Sequence, residues 1–208
     1  MSFVIQRLFS ILCHHCQQHP IDTRLGLCTD CALEISRLPR NFSCSDLLRQ
    51  TWAVDSYHGP MGTLLRRAKY RPDRKLMTSL GRLMAVGSLE LPSFDAIVHV
   101  PVPWHRKLRR GFDQAEILAA SIQRQLRVPH IKVLRRHGFQ EQASKTVEER
   151  RKKILGRFSC DCRQELPASI LLVDDVVTTG NTLEGCAAEL YQQGVREIIG
   201  FSLVSALL

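Results

Sequence analysis

Apolar and polar positions follow two kinds of pattern along most of this chain. Short apolar runs bounded by turn residues predict buried strands. These runs lie at Thr51–Tyr57, Phe94–Pro103, His130–Arg135, Ile170–Val173 and Glu197–Val204. Between them, apolar residues at helical spacing predict helices at Met61–Tyr70, Arg74–Ser88, from Asp113 onward and from Leu183 onward. Strands that alternate with helices indicate an α/β fold, a mainly parallel sheet flanked by helices.

The segments between these elements carry the polar chemistry. Residues 39–49 are interpreted as a linker, and Trp104–Phe112 as a basic loop. Ligands of parallel sheets bind beyond the carboxyl ends of the strands. The loops Pro101–Gly111 and Asp174–Thr182 both follow such ends, so we expect them to face one pocket.

The stretch Ile170-Leu-Leu-Val-Asp-Asp-Val-Val-Thr-Thr-Gly-Asn-Thr182 is the most informative of the chain. A buried strand ends in two carboxylates, Asp174 and Asp175, and a small hydroxyl-rich turn then opens a helix. A helix N-terminus offers unpaired N–H groups to an anion, and Gly180 allows close backbone approach. Carboxylates accept hydrogen bonds from sugar hydroxyls or bind Mg²⁺. The stretch therefore predicts a site for a phosphorylated sugar.

Two other interpretations of this stretch stay open. The acidic pair could simply end a strand before a capped helix. It could also be a receiver-type phosphorylation site, although such a site has no need of the turn from Thr178 to Thr182.

Charge is distributed unevenly over the 208 residues, whose formal net charge is +9. Trp104–Arg157 contains 15 Lys or Arg against 5 Asp or Glu, and the rest of the chain is nearly neutral. This favours binding of polyphosphate, of nucleic acid, or of both.

No apolar run approaches the ~20 residues of a membrane span. The first 12 residues predict a short amphipathic helix rather than a signal peptide.

Four of the eight cysteines form two Cys-x-x-Cys pairs, Cys13 with Cys16 and Cys28 with Cys31. Two such knuckles provide the closed tetrahedron of a structural Zn²⁺ site. The alternatives are two reduced pairs without metal, or replacement of one thiolate by a neighbouring histidine: His14, His15 or His19. Cysteines spaced for metal rather than for disulfides favour a cytoplasmic location.

Several blocks in order resemble the ComF/GntX family of amidophosphoribosyltransferase-like proteins. They are the two knuckles, Tyr57-x-Gly59 with Lys69, Val100-Pro-Val-Pro103, Arg109-Arg-Gly-Phe-Asp-Gln-Ala-Glu116, Gln142 with Glu149-Arg150, and the Asp174 loop. The resemblance implies a zinc ribbon, here residues 1–40, joined to a type I phosphoribosyltransferase-like domain, residues 41–208. It also implies a role in DNA uptake or utilization, with single-stranded DNA and a DNA-uptake helicase as candidate partners.

The same resemblance implies roles in binding PRPP (5-phosphoribosyl 1-pyrophosphate) with Mg²⁺. Asp174 and Asp175 are the expected catalytic pair and would hold the ribose hydroxyls. The expected ligand-binding residues are Val177, Thr178, Thr179, Gly180, Asn181, Thr182, Lys69, Arg109, Arg110 and Arg150. Arg106 and Lys107 are further candidates for the pyrophosphate, and His99 and His105 are weak candidates for a general base.

Two functions from different classes follow from these residues. The protein either transfers or hydrolyses a phosphoribosyl group, or it is a non-enzymatic accessory that binds single-stranded DNA and keeps a regulatory or vestigial PRPP site. The aromatic residues Trp104, Phe112 and Phe139 accompany the basic stretch, and stacking on single-stranded bases needs such side chains.

Overall fold

A computed structural model describes residues 12–21, 23–35, 38–137, 157–162 and 165–208. The helices are α1 (Thr29–Leu33), α2 (Pro60–Tyr70), α3 (Arg74–Gly87), α4 (Trp104–Arg110), α5 (Gln114–Leu126) and α6 (Asn181–Gln192). The strands are β1 (Arg40–Phe42), β2 (Gln50–Ser56), β3 (Ala96–His99), β4 (His130–Ile131), β5 (Leu134–Arg136), β6 (Phe158–Cys160), β7 (Ser169–Val177) and β8 (Glu197–Ser205). The predicted N-terminal helix, except for Leu12, and the candidate residue Arg150 lie outside the described residues.

Six strands form one sheet in the order β1-β2-β8-β7-β3-β4, and β5 and β6 form a separate antiparallel pair. Every pairing in the larger sheet is parallel except that of β1 with β2. The two central strands, β7 and β8, pair from Ser169 opposite Glu197 to Val177 opposite Ser205. The predicted fold class, a mainly parallel sheet flanked by helices, is confirmed.

The sheet buries apolar side chains on both faces. One face, with Leu171 and Val173 of β7, packs in a cluster that includes residues of α2, α3 and α5. The opposite face, with Ile170 and Leu172, packs with residues of α6 and β6. Because parallel strands covered on both sides read as continuous apolar runs, these strands are recognisable in the sequence. The parallel strands β2, β8, β7 and β3 share one carboxyl edge, and the polar residues collect there.

Three predicted elements differ from the structure. The basic segment expected as a loop is the helix α4, which begins after Pro103 and ends at Gly111 with a φ of +74°. It was missed because none of its residues is buried, so it has no apolar stripe. The predicted linker contains the edge strand β1. The predicted strand His130–Arg135 is two strands: β4 pairs with β3, and β5 belongs to the smaller sheet.

The described helices include none that is both long and apolar enough to cross a bilayer.

Candidate functional site

The acidic pair lies in the last part of β7, where both side chains are nearly buried. Consecutive residues of a strand point to opposite faces of the sheet. Asp175 accordingly contacts Lys69 of α2, with 2.9 Å between Nζ and Oδ2. Asp174 lies on the other side, where the charge of Arg136 acts on it. The two carboxylates thus lie on opposite faces of the sheet.

Burial, reinforced by the negative charge of Asp175, raises the pKa of Asp174 to about 8. The backbone N–H of Asp175, which donates to Oδ1 of Asp174 at 2.7 Å, opposes this rise, as do the charges of Lys69 and Arg136. Without a ligand, Asp174 therefore carries a proton near neutral pH. A cation that binds there would displace this proton.

A cavity of about 300 Å³ lies between α2 and α4. Its lining residues are Tyr57, Leu65, Arg66, Lys69, Tyr70, Arg106, Arg109 and Arg110. Five of these eight side chains are cationic, so the space suits an anion with several negative charges. The structure brings together three of the predicted ligand residues, Lys69, Arg109 and Arg110, although α2 and α4 are far apart in sequence.

Lys69 joins this cavity to the acidic pair, because it lines the cavity and also contacts Asp175. Arg110 is held at the same place. Its guanidinium donates to Oε1 of the fully buried Gln114 at 3.2 Å. Burial lowers the pKa of Arg110, and the negative charge of Asp175 opposes that effect. Cationic and acidic groups therefore meet at the carboxyl edge of β7.

Sequence reasoning did not assign Arg66, Tyr70 and Arg136 to this site. Arg66 and Tyr70 line the cavity, and Tyr70 is 80% exposed. Arg136 lies over the ring of Phe158, 5.3 Å from its centroid, and its charge acts on Asp174. Arg136 follows Arg135 in an ordinary strand pattern, so its spacing gives no functional signal.

The predicted phosphate turn, residues 177–182, connects β7 to α6. Val177 is buried at the strand end, and Thr178, Thr179 and Asn181 are exposed. Gly180 is the N-cap of the twelve-residue helix α6, with a φ of +80°. A Cβ at Gly180 would lie 2.6 Å from the backbone oxygen of Cys44. Both the backbone angle and this contact require glycine at the N-terminus of the helix.

The block after Gly111 has structural contacts that explain several of its residues. Asp113 caps α5 by accepting from the backbone N–H of Glu116 and also accepts from that of Val102, each at 3.2 Å. Glu116 is paired with Lys107 and Lys132. These bonds fasten the Val100–Pro103 segment and α4 to α5.

His99, Asp113 and Glu116 place donor atoms within 4.8 Å of one another. Nδ1 of His99 is 2.9 Å from Nε2 of His130, and burial lowers the pKa of each histidine to about 4. With Glu116 paired to two lysines, this group is accounted for as a buried polar network. Of the two weak general-base candidates, His99 is enclosed in this network and His105 is exposed on α4.

The four knuckle cysteines come together as predicted, with all their sulfurs within 4.8 Å of one another. The Sγ atoms of Cys16 and Cys28 are 3.8 Å apart. A tetrahedron of sulfurs ~2.3 Å from a zinc ion has edges of about this length. Burial raises the pKa of the Cys13 thiol. Hydrogen bonds from the backbone N–H groups of Cys28, Cys16 and His15 outweigh this effect and lower the pKa to about 6. The donor set fits a closed structural zinc site.

Solved structures with a similar arrangement of the chain are phosphoribosyltransferases and related enzymes. One is the glutamine phosphoribosylpyrophosphate amidotransferase from B. subtilis, with a TM-score of 0.43, 16% identity, and coverage of 60% of this chain and 25% of that chain. Another is the adenine phosphoribosyltransferase from Leishmania tarentolae, with a TM-score of 0.47, 10% identity, and coverage of 80% and 94%. No family model matches this chain.

Curated relatives match nearly the whole chain. Competence protein F of Haemophilus influenzae is 28% identical, over 97% of this chain and 100% of that protein. Competence protein ComFC of Bacillus subtilis is 28% identical, over 86% and 72%. DNA utilization protein YhgH of Escherichia coli K12 is 29% identical, over 83% and 81%. The chain is therefore similar over most of its length to competence and DNA-utilization proteins, and the resemblance to the ComF/GntX family predicted from its motifs is confirmed.

Proposed function

We propose that this protein binds PRPP together with Mg²⁺ at the carboxyl edge of β7, and that this pocket serves DNA uptake or utilization. The observation that carries the proposal is the contact between Lys69 and Asp175, because it joins a cationic cavity to the acidic strand end. PRPP has a pyrophosphate, a ribose with two free hydroxyls and a 5′-phosphate. The site has separate groups suited to each of them.

The pyrophosphate would occupy the cavity between α2 and α4. Lys69, Arg109 and Arg110 line it, together with Arg66 and Arg106. Guanidinium groups bind phosphate oxygens through two parallel hydrogen bonds, and lysine acts as a mobile point charge. This cluster of cations would otherwise repel itself. Pyrophosphate neutralises that repulsion.

The ribose and the 5′-phosphate would lie against β7 and the turn that follows it. Asp174 and Asp175 would accept from the ribose hydroxyls, and residues 177–182 would hold the phosphate at the N-terminus of α6. Mg²⁺ prefers carboxylate and phosphate oxygens, so the acidic pair and the pyrophosphate are suitable ligands. When bound, the ion would neutralise charge on the pyrophosphate leaving group.

These groups suit transfer or hydrolysis of a phosphoribosyl group. Loss of pyrophosphate from C1 leaves a cationic, oxocarbenium-like ribose, so the protein must position the sugar and neutralise the leaving group. The cationic cavity would neutralise the leaving pyrophosphate, and the turn at α6 would position the sugar. We assign no base to His99, because it is buried, hydrogen-bonded to His130 and not part of the cavity wall.

Calorimetric titration of the zinc-loaded protein with PRPP, with and without Mg²⁺, tests this proposal. We expect Mg²⁺-dependent binding that is lost when Asp174 and Asp175 are both replaced by alanine. Arg82→Ala is the control, because Arg82 is exposed on α3 and takes no part in the cavity. Absence of binding in well-folded protein would reject the PRPP pocket, and release of pyrophosphate would identify an enzyme.

A second candidate function is binding of single-stranded DNA, and the exposed face of α4 favours it. Trp104 is 66% exposed and Leu108 is 72% exposed, and they lie one turn apart. Arg106 and Arg109 are exposed on the same short helix. An exposed tryptophan among arginines is suited to stacking on an unpaired base beside its phosphates.

DNA binding at α4 has its own test, which does not depend on PRPP. Affinity for a labelled single-stranded oligonucleotide should fall steeply with salt, since Lys and Arg release counterions from phosphates. Trp104→Ala should weaken binding without changing the slope, whereas Arg109→Ala should lower the slope. An affinity that neither salt nor these substitutions change would exclude this surface.

A further inference from the structure

The cysteine module contacts α2 at a polar position, which joins two parts of the chain with different chemistry. Nδ1 of His15, inside the first knuckle, lies 2.9 Å from Oγ1 of Thr63. Beside this contact, Cys13, Cys28 and Cys31 belong to the same buried cluster as apolar residues of α2. The module is therefore packed against the helix that carries Lys69.

Thr63 is also hydrogen-bonded to Arg66. Its Oγ1 accepts a hydrogen bond from a terminal nitrogen of Arg66 at 3.0 Å. A hydroxyl has one proton and two acceptor lone pairs, so it can serve Arg66 and His15 at once. His15 and Arg66 are thus joined through one oxygen atom.

Arg66 in turn forms part of the wall of the cationic cavity. Its other terminal nitrogen donates to the backbone oxygen of Tyr57 at 2.9 Å, and its guanidinium lies 4.9 Å from the centroid of the Tyr57 ring. A guanidinium is planar, so holding both terminal nitrogens determines where its remaining N–H groups point. Removing the hydrogen bond to Thr63 would leave one of the two terminal nitrogens unrestrained.

We propose that the cysteine module positions Arg66 for anion binding through His15 and Thr63, so that the module supports the pocket as well as the fold. The proposal rests on the proposed function where it concerns PRPP. Its structural part concerns only the orientation of Arg66. Since coupling between sites is reciprocal, a bound anion would in turn strengthen retention of the metal by the knuckles.

Substitutions at Thr63 test the PRPP part. Thr63→Val keeps the shape and removes the hydroxyl, and Thr63→Ser restores it. We expect PRPP affinity to fall about tenfold in Thr63→Val, the loss that corresponds to one charge-assisted hydrogen bond, and to recover in Thr63→Ser. His15→Leu should match Thr63→Val, and His15→Asn should recover affinity because its amide can replace Nδ1. Zinc content should be equal in all four variants.

Thr78→Val is the matched control. Thr78 also bonds through its hydroxyl, but to the backbone oxygen of Arg74 within α3, at 2.9 Å. Its substitution should leave PRPP affinity unchanged. If the wild-type protein binds PRPP and Thr63→Val binds it equally well, the positioning role is wrong and the proposed function stands.

A second measurement needs no PRPP. The side-chain Nε–H resonance of Arg66 in ¹⁵N-labelled protein, assigned by its loss in Arg66→Lys, reports the orientation of the guanidinium. We expect Thr63→Val and His15→Leu to shift and broaden this resonance in the same way, and Thr78→Val to leave it unchanged. A resonance identical in wild type and Thr63→Val overturns the proposal, whether or not PRPP binds.

Discussion

Nζ of Lys69 lies 2.9 Å from Oδ2 of Asp175, and this contact joins the end of α2 to the central strand β7. Both side chains are largely buried, with 16% and 10% of their surfaces exposed. The pair neutralises one carboxylate of the site, while the raised pKa of Asp174 keeps the other protonated near neutral pH. Without a ligand, the acidic strand end is thus close to neutral while the cavity beside it stays cationic. A Mg²⁺–pyrophosphate ligand would have to rearrange the acidic pair.

Breaking this pair should affect stability and binding in separable ways. Lys69→Met leaves the carboxylate of Asp175 buried without its lysine partner, which should lower the free energy of unfolding by about 3–5 kcal/mol. Adding Asp175→Asn should recover most of that loss, because no unpaired charge remains. PRPP affinity should stay at least tenfold weaker in both variants. Urea denaturation and calorimetry measure the two effects.

Lys132→Met is the control for this experiment. Its Nζ is paired with Glu116 at a more exposed position, where such pairs contribute ~0–1 kcal/mol. We expect a small change in stability and none in PRPP affinity. Equal stability of Lys69→Met and wild type would show that the contact contributes nothing to the fold.

The protonation of Asp174 predicts a specific dependence of stability on pH. Its pKa is higher in the folded protein, about 8, than in the unfolded chain, about 4. The folded state therefore binds this proton more tightly than the unfolded chain does. The stabilisation that results from this difference is complete below about pH 4. It is lost as the pH rises toward 8, and the free energy of unfolding falls over that range.

Asp174→Asn should remove this dependence. Relative to wild type, the variant should become more stable as the pH is raised from 5 to 9, by on the order of a few kcal/mol, or several degrees in Tm. The same substitution should weaken Mg²⁺-dependent PRPP binding, since an amide cannot provide a carboxylate. Thermal denaturation at several pH values measures the effect. Asp46→Asn, at an exposed position, is the control. A difference in Tm between Asp174→Asn and wild type that does not change with pH would contradict the raised pKa of Asp174.

Much of the fold could be predicted from the sequence, because buried parallel strands are continuous apolar runs. The helix predicted from Asp113 onward is α5, which Asp113 caps. The helix α4 could not, since a helix with no buried residue has no periodic apolar stripe. The part of the site at β7 and the turn after it could be predicted, because its residues lie close together along the chain. The effect of the Arg136 charge on Asp174 depends on how distant segments pack, which spacing along the chain does not encode.

Gly111 and Gly180, each next to the end of a helix and each with a positive φ, form a matched pair for testing the turn. Gly180→Ala places a Cβ at a left-handed position and against the backbone of Cys44. Gly111→Ala has similar backbone strain, with a φ of +74°, but its Cβ would meet nothing within 4 Å. Left-handed strain costs roughly 1–2 kcal/mol. We therefore expect Gly111→Ala to lose about that much stability and Gly180→Ala to lose clearly more.

Binding should separate these two glycine variants further. Gly180→Ala moves the N-terminus of α6 relative to the strand end, so affinity for PRPP and for ribose 5-phosphate should fall together. Gly111→Ala lies at the end of α4 and should have a smaller effect on ribose 5-phosphate than on PRPP. Equal losses of stability in the two variants would mean that the contact with Cys44 relaxes freely.

The knuckle cysteines predict one tightly held metal ion per chain. Denaturing the purified protein in the presence of a chromogenic chelator should release about one zinc. Cys28→Ser should abolish that release and lower the Tm, because Cys28 is buried in the core shared with α2. Cys162→Ser, outside the cluster, should release as much zinc as wild type. Stable, fully folded protein that contains no metal would show that the four thiols hold the module together without an ion.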